Sequence, residues 1–358
     1  MNDIIIITGG AGFIGCAVSE KLIGQGYRII AVDNLHPQIH PMQKRPDALH
    51  PDVELVVADV CDADFWDGFL VDNHPHTVVH LAAETGTSQS LTESNRHAMV
   101  NVVGTTQMLD AFTRHDAKPQ AIVLSSSRAV YGEGMWRAQD GHAFYPDVRS
   151  HQQLSSAEWD FSYNGQKAVP LSHRAGNVMP NPSSIYGSTK LAQEHIIKSW
   201  CAAMQVSASI LRFQNVYGPG QSPFNPYTGI INLFHREAYA KLPIQVYEDG
   251  VIGRDFVYID DVADSVVASI LNPADSLRLL DVGSGNVTTI LEAATLIAAL
   301  HGAPEPVICG KFRDGDIRWA VADADPLDEE LGVRAKVDFA SDGAKLVGEW
   351  LLEKGYME

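Results

Sequence analysis

The fold of this chain is decided near its start, by the stretch Asp3-Ile4-Ile5-Ile6-Ile7-Thr8-Gly9-Gly10-Ala11-Gly12-Phe13-Ile14-Gly15. The β-branched run is too short to span a membrane and has the length of a buried parallel strand. The glycines that follow have the spacing G-x-x-G-x-x-G, and an apolar helical pattern continues from Ala17 to Ile23. Glycine at such a turn lets the backbone approach a pyrophosphate, whose charge is stabilised by the amides of the helix N-terminus. The stretch therefore predicts a strand–turn–helix unit that binds a dinucleotide; a turn needed for packing alone is the alternative.

A second predicted strand, from Arg28 to Asp33, ends in a carboxylate. Asp33 lies 18 residues after Gly15, about where a dinucleotide-binding fold places the acid that binds the adenosine ribose. The charge of Asp33 would repel a 2′-phosphate, and no arginine follows it directly. These features favour NAD over NADP as the cofactor.

Composition and charge exclude several classes of protein. The chain has 358 residues, of which 26 are basic and 44 acidic, so its net charge is −18 and a nucleic-acid-binding surface is disfavoured. No apolar run reaches about 18 residues and the apolar start lacks a basic n-region, so we expect a cytoplasmic protein with no membrane segment and no signal peptide. The cysteines are far apart, which predicts reduced thiols and no metal site; they are Cys16, Cys61, Cys201 and Cys309.

Strands and helices alternate along most of the chain. Apolar runs over 53–60, 77–83 and 121–127 predict further strands, and a long helix is expected over 93–114. We therefore predict an α/β fold: a Rossmann-type doubly wound parallel sheet with a smaller mixed α/β substrate lobe. Farther along, we expect elements over these ranges: helices over 262–271, 289–301 and 338–356, and a strand over 279–282 that joins the parallel sheet.

The predicted domains are discontinuous in sequence. We assign residues 1–212 and 256–283 to the NAD-binding domain, and residues 213–255 and 284–358 to the smaller lobe. The segment 132–183 interrupts the alternation of strands and helices and is too long for an ordinary connection, which favours a functional lid or an interface arm.

Two polar residues near the ends of predicted strands have alternative roles. Asp59 ends the third strand, where a carboxylate could bind adenine or cap a helix. His80 lies within an apolar run, which favours a hydrogen-bonded core histidine over a catalytic one.

The stretch Tyr186-Gly187-Ser188-Thr189-Lys190 indicates the chemistry. A spacing of four places Tyr186 and Lys190 on one face of a helix. We expect the Lys190 ammonium and an oxidised nicotinamide to lower the pKa of the phenol, so that it can accept a proton. Ser127, at the end of a neighbouring strand, could hydrogen-bond the same substrate oxygen. We therefore predict Ser127, Tyr186 and Lys190 as catalytic residues; an incidental Tyr/Lys pair is the alternative.

Several motifs resemble the extended short-chain dehydrogenase/reductase family of NAD-dependent epimerases and dehydratases. They are the glycine motif, Ser125-Ser126-Ser127-Arg128-Ala129-Val130-Tyr131-Gly132, Tyr186-x-x-x-Lys190, and the stretches 211–220 and 253–262. The resemblance covers nearly the whole chain and implies tightly held NAD and a nucleotide-diphosphate-sugar substrate. The expected NAD contacts are Gly9, Gly12, Phe13, Ile14, Gly15, Asp33, Asn34, Asp59, Val60, Leu81, Ala82, Ala83, Asn101, Ser125, Tyr186, Lys190 and Phe213.

The two residues after Ser127 discriminate among the reactions of that family. Dehydratases that remove water across C5 and C6 carry an Asp-Glu pair there, whereas this chain has Arg128-Ala129. The resemblance therefore implies 4-epimerisation through a transient 4-keto sugar. A UDP-hexose 4-epimerase, another nucleotide-sugar oxidoreductase or dehydratase, and a non-catalytic NAD-binding protein are the alternatives.

The likeness to one group within the family is narrower. The stretches 81–87, 213–222 and 225–230 look most like those of dTDP-L-rhamnose 4-epimerases, which make dTDP-6-deoxy-L-talose for surface polysaccharides, although segment 151–183 lacks the cysteine of several relatives. The implied substrate contacts are Thr87, Ser127, Asn215, the 225–232 segment with Asn232, Val246, Tyr247, Arg254, Arg313 and Asp316. A homodimer through helices 93–114 and 186–204 is also implied; alternatively, these helices simply pack on the sheet.

Overall fold

The computed structural model describes residues 3–223, 225 and 229–357. Its strands are β1 (Ile4–Thr8), β2 (Arg28–Asp33), β3 (Glu54–Val57), β4 (Thr77–His80), β5 (Ala121–Ser127), β6 (Trp136–Arg137), β7 (Ala143–Phe144), β8 (Ser162–Tyr163), β9 (Gln166–Lys167), β10 (Val169–Pro170), β11 (Ser207–Phe213), β12 (Asn215–Tyr217), β13 (Gln245–Val246), β14 (Gly253–Arg254), β15 (Phe256–Tyr258), β16 (Leu277–Val282), β17 (Thr288–Thr289), β18 (Val307–Ile308) and β19 (Trp319–Ala320).

Helices connect and cover these strands. They are α1 (Phe13–Leu22), α2 (Ala63–Phe69), α3 (Thr87–Thr92), α4 (Ser94–Ala98), α5 (Thr105–Arg114), α6 (His151–Ser155), α7 (Ile185–Met204), α8 (Ile230–Tyr239), α9 (Ile259–Leu271), α10 (Ile290–His301), α11 (Asp325–Leu331) and α12 (Ala344–Glu353). Two π-helical turns, Met99–Gly104 and Phe339–Gly343, precede α5 and α12, and a 3₁₀ turn, Arg128–Tyr131, follows β5. No helix within the described ranges is both long and apolar enough to cross a bilayer.

A seven-stranded parallel sheet in the order β16-β11-β5-β4-β1-β2-β3 forms the centre of the fold. The chain moves outward from β1 to β3 in one direction, and then from β4 to β16 in the other. This reversal creates a crevice at the carboxyl ends of β1 and β4, which is where open α/β sheets bind ligands. The predicted fold class, with its doubly wound parallel sheet, is confirmed.

Both faces of the sheet are buried, which explains the unbroken apolar run of β1. Side chains alternate along a strand, so Ile5 and Ile7 pack against α1 and α9 on one face, while Ile6 packs against α5 and α7 on the other. A further apolar core fills the smaller lobe between α8, α10 and α12. β15 contributes to two of these cores, since Val257 belongs to the first and its neighbours Phe256 and Tyr258 belong to the lobe. The proposed domain boundaries therefore stay a prediction.

Several predicted elements differ in extent from the observed ones. The strand over 279–282 is confirmed as part of β16, which pairs with β11 in parallel. The long helix predicted over 93–114 is confirmed, since α4, the π-helical turn Met99–Gly104 and α5 follow one another without interruption. The strand over 53–60 is shorter than predicted, so Asp59 lies beyond β3. Helix α10 confirms the predicted helix over 289–301, with Thr289 as its N-cap.

The segment 132–183 is folded rather than irregular. β6, β7 and β10 form a small antiparallel sheet, and the buried Trp136 packs on Phe161 with ring centroids 4.9 Å apart. Buried ion pairs attach the segment to the smaller lobe: Arg149 donates to Glu248 at 2.8 Å, and Arg318 donates to Asp160 at 2.9 Å. The role of the segment as a lid or an interface arm stays a prediction.

We expect Thr289→Ala to lower the free energy of unfolding by about 1 kcal/mol, the usual cost of losing an N-cap. The Thr289 hydroxyl accepts the backbone N–H of Glu292 at 3.1 Å, and the Glu292 carboxylate accepts the Thr289 N–H at 2.7 Å. Urea denaturation followed by circular dichroism measures the loss. Thr288→Ala is the matched control, because this neighbouring hydroxyl makes no hydrogen bond within the described residues and its removal should cost under about 0.5 kcal/mol. Equal losses in both variants would contradict the capping role.

Candidate active site

A large cleft opens at the carboxyl ends of the parallel strands. Its volume is about 2110 Å³, and its walls come from the turns after β1, β4, β5 and β11 and from the smaller lobe. Pockets for one small ligand usually measure about 300–1,000 Å³, so this cleft has room for two ligands together. All the predicted site residues except Asn101, Asn232 and Val246 line it.

Close packing requires glycine at Gly9, Gly10 and Gly15 of the turn after β1, and Gly12 is less crowded. A Cβ atom on Gly9, which has a φ of +68°, would lie 2.8 Å from the Ala82 nitrogen, and one on Gly15 would lie 2.6 Å from Gly10. A Cβ on Gly12 would meet no described atom closer than the Gly9 oxygen at 3.2 Å, so its open side faces the cleft. The turn thus leaves space for phosphate groups directly at the N-terminus of α1, which fits NAD.

Asp33 and Asp59 lie side by side at the cleft wall. Asp33 accepts the N–H groups of Ala11 at 3.1 Å and Leu35 at 2.9 Å, which holds its carboxylate at the carboxyl end of β2. Asp59 accepts from the Asn34 amide at 3.1 Å and from the Cys61 N–H at 2.8 Å. The helix-capping alternative for Asp59 is wrong, because Asp62 is the N-cap of α2.

Two of the predicted residues serve the scaffold around the cleft. His80 is confirmed as a core histidine: it contacts the hydroxyls of Thr8 at 2.7 Å and Thr105 at 2.9 Å, and burial lowers its pKa to about 3. Asn101 was expected to touch NAD, but its buried amide bonds the backbone of Glu84 at 2.8 and 3.0 Å and the Thr189 hydroxyl at 2.9 Å. Asn101 therefore ties the loop after β4 to α7.

The structure brings Ser127, Tyr186 and Lys190 together on the cleft wall. Ser127 ends β5, and Tyr186 lies in the first turn of α7, where the Ser184 hydroxyl caps the helix by accepting the Gly187 N–H at 3.1 Å. A Cβ on Gly187 would lie 2.4 Å from the Ala129 carbonyl oxygen, so glycine allows α7 to start directly against the turn after β5. This contact sets the distance between the serine and the tyrosine.

The lowering of the Tyr186 pKa that we expect from Lys190 and an oxidised nicotinamide together stays a prediction. Burial raises the pKa of Tyr186, while the Ser127 hydroxyl and the Arg128 guanidinium oppose that rise. The Lys190 ammonium donates to the Gln193 side chain at 2.5 Å, and burial lowers its pKa to about 7. Lys190 is thus held by its own helix, and Arg128 is the cation that opposes the rise in the Tyr186 pKa.

The smaller lobe contributes charged and aromatic groups. Arg254 and Asp316, expected on the phosphates and the ribose, pair with each other at 2.9 Å while both line the cleft. The Arg313 guanidinium lies 5.1 Å from the centroid of the Tyr247 ring, in a cation–π arrangement. The Val246 side chain is fully buried in the core of the lobe, so the expected contact of Val246 with the substrate stays a prediction for its backbone.

Amide side chains after β11 point to a polar ligand. The buried Gln214 has no partner for either amide atom within the described residues, and the Asn215 oxygen also lacks one. Buried polar atoms without partners are rare and costly, so a ligand or water is expected there. Gln214 was missed by sequence reasoning, although it lies between two predicted residues.

Asn232 donates to the Gln221 carbonyl at 3.0 Å, and residues 226–228 of its predicted segment lie outside the described residues.

We expect Gly12→Ala to weaken NAD binding at least about tenfold and to lower the melting temperature of NAD-free protein only slightly. Gly12 has a φ of −73°, which alanine adopts freely, and the added Cβ would meet only the Gly9 oxygen, at 3.2 Å, so most of its effect should fall on the space for the phosphates. Calorimetric titration with NAD measures the affinity. Gly68→Ala is the control, since a Cβ there would meet nothing within 4 Å and Gly68 lies outside the cleft. Unchanged affinity in Gly12→Ala would place the phosphates elsewhere.

Comparison with known proteins identifies the family. The model of the NAD dependent epimerase/dehydratase family matches residues 5–283. The dTDP-L-rhamnose 4-epimerase of Burkholderia thailandensis is 52% identical over 99% of this chain and 93% of the relative, and the UDP-glucose 4-epimerase of Mycolicibacterium smegmatis is 29% identical over 96% of each. A crystal structure of Thermus thermophilus UDP-glucose 4-epimerase in complex with NAD superposes with a TM-score of 0.78 at 25% identity, covering 98% of this chain and 99% of that one. The chain belongs to the NAD dependent epimerase/dehydratase family.

Proposed function

We propose that the protein is an NAD-dependent 4-epimerase that converts dTDP-L-rhamnose to dTDP-6-deoxy-L-talose through a transient 4-keto sugar. The observation that carries this proposal is the 52% identity, over 99% of the chain, to a dTDP-L-rhamnose 4-epimerase. The grouping of Ser127, Tyr186 and Lys190 on one wall of the cleft supports it. So does the cleft volume of about 2110 Å³, which accommodates a cofactor and a nucleotide sugar together.

The residues of the cleft fit NAD. The open side of Gly12 and the N-terminus of α1 would hold its phosphates, Asp33 its adenosine ribose, and the backbone at Leu81, Ala82 and Ala83 its remaining length. Bound there, NAD supplies a reversible acceptor for the hydride on C4 of the sugar.

The side chains of the protein transfer the proton and bind the sugar. The Tyr186 phenolate accepts the proton of the C4 hydroxyl and later returns it, so the tyrosine ends in its starting state. Ser127 donates a hydrogen bond to the same oxygen and stabilises the charge that develops on it. Between the two steps the 4-keto sugar turns over, which the wide cleft permits. No net oxidation occurs, and no external reductant is needed.

Dehydration is not supported by the residues beside Ser127. Removing water from the sugar needs an acid and a base at the reacting carbons. Arg128 carries a permanent cation there, and Ala129 has no titratable group. A UDP-hexose 4-epimerase is the second candidate function, favoured by the relative of that name at 29% identity.

We also propose a cytoplasmic homodimer. The inner faces of α5 and α7 pack on the sheet through Met108, Phe112 and Ile197. Their outer faces leave a shallow groove of about 420 Å³, lined by Leu109, Ile196 and neighbouring residues, which a second copy would cover. Sedimentation velocity tests the assembly.

The cytoplasmic location is supported by four free cysteines, which are usual in reducing compartments.

We expect the protein to change the C4 configuration of dTDP-L-rhamnose without added reductant, and we expect Tyr186→Phe to lower kcat at least about 100-fold because it removes the proton acceptor. NMR of the products from a panel of dTDP-, UDP- and GDP-sugars measures both the reaction and the choice of substrate. Conversion of a UDP-hexose in place of the dTDP-sugar would establish the second candidate.

The control for this variant is Tyr163→Phe, which alters an aromatic residue of the small β8–β9 hairpin outside the cleft. It should retain the parent kcat. A Tyr186→Phe protein with parent activity would contradict the mechanism, and stoichiometric release of NADH would show a net oxidoreductase instead.

A further inference from the structure

Arg128 is a charged residue of the cleft to which the proposed mechanism assigns no role in the reaction. It follows Ser127, opens the 3₁₀ turn after β5 and lines the cleft. The same turn is in direct contact with the first turn of α7, since a Cβ on Gly187 would lie 2.4 Å from the Ala129 oxygen. Arg128 and Tyr186 therefore project from adjoining backbone into one part of the cleft.

Unlike the fully buried arginines of the protein, Arg128 has no counter-ion. Each of the others bonds a carboxylate: Arg149 with Glu248 at 2.8 Å, Arg212 with Glu194 at 2.7 Å, Arg254 with Asp316 at 2.9 Å, and Arg318 with Asp249 at 2.7 Å. The half-buried Arg128 makes no hydrogen bond and no ion pair within the described residues. A half-buried guanidinium in the cleft wall without a partner is free to pair with an anion that binds or forms beside it.

The other charged groups around Tyr186 are already engaged. Lys190 donates to Gln193. The His97 ring stands edge-on to the phenol, with centroids 6.5 Å apart, and its nitrogens face the carbonyl oxygens of Glu93 and Thr85. The surrounding acids are paired or capped as well: Glu84 with Arg96, Glu194 with Arg212, Asp316 with Arg254, and Asp255 with the N–H groups of Ser284, Gly285 and Ala322.

We propose that Arg128 is a positioning residue whose guanidinium stabilises the phenolate form of Tyr186 during proton transfer. The phenolate would be the counter-ion of the unpaired Arg128 guanidinium. The phenolate forms when Tyr186 loses its proton to solvent, and it then accepts the proton of the C4 hydroxyl. The opposing effects of burial, which raises the pKa of Tyr186, and of Arg128, which lowers it, support this role. The inference deepens the proposed function and rests on it.

The pH dependence of kcat tests the role in the holoenzyme. Activity should rise with pH as Tyr186 loses its proton, and Arg128→Met should move the midpoint of that rise upward by about one pH unit, since an adjacent opposite charge shifts a pKa by roughly one to three units. KM should stay within about twofold of the parent. Arg128→Lys keeps the charge, so its midpoint should lie close to that of the parent. Lys190 and His97 are unchanged in all these variants and cannot account for a difference between them.

Arg334→Met is the matched control, because this exposed arginine on the surface pairs with Asp328 and lies outside the cleft. It should leave the midpoint and kcat unchanged. An Arg128→Met protein with the parent midpoint and a raised KM would overturn the proposal, because Arg128 would then bind the diphosphate of the substrate.

A second measurement needs no sugar and stays informative if the variant has little activity. The protein contains 11 tyrosines, so the ultraviolet titration of the phenolate is taken as the difference between each protein and its Tyr186→Phe form. That difference should titrate at a higher pH in the Arg128→Met background than in the parent. Equal titrations would overturn the proposal. If the shift is found but no sugar is epimerised, the pairing of Arg128 with Tyr186 stands and the proposed function fails.

Discussion

The structure depends on the close approach of backbone segments at the crevice where the order of strands reverses. A Cβ on Gly9 would lie 2.8 Å from Ala82, and one on Gly15 would lie 2.6 Å from Gly10, so β1, α1 and the loop after β4 can meet only if these positions have no side chain. That meeting places the positive end of α1 at the mouth of the cleft. A similar close backbone contact occurs at Gly187, where the absence of a side chain lets α7 start directly against the turn after β5. Glycine thus determines both where the cofactor fits and where the tyrosine stands.

Charge in this acidic protein is organised by pairing. The buried arginines of the smaller lobe and of segment 132–183 bond carboxylates, and two of these pairs, Arg149 with Glu248 and Arg318 with Asp160, join the two parts of the chain. Arg128 departs from this pattern beside Tyr186. A buried ion pair contributes little net stability but removing one partner is costly, so such pairs fix geometry more than they add stability. The unpaired cation is correspondingly available to a charge that develops during the reaction.

Local sequence patterns predicted the elements near the site more accurately than the contacts within it. The strand–glycine–helix order, the helix over 289–301 and the core position of His80 follow from short-range chemistry, and the structure confirms them. The π-helical turn before α5, the pairing of Arg254 with Asp316 and the burial of Val246 were not predicted. Each of these features depends on which residue of a distant segment packs against it, and residue spacing along the chain does not predict such long-range contacts.

The sequence by itself determined the α/β class, the dinucleotide turn and the grouping of Ser127, Tyr186 and Lys190, because strand period, glycine spacing and a helical repeat of four act between near neighbours. The tertiary structure alone decided how the charged groups around the phenol are held. Lys190 has the expected spacing, yet its ammonium donates to Gln193, while Arg128 reaches the cleft because α7 packs on the turn after β5. The electrostatics of a buried group depend on distances through space and on desolvation, and folding sets both.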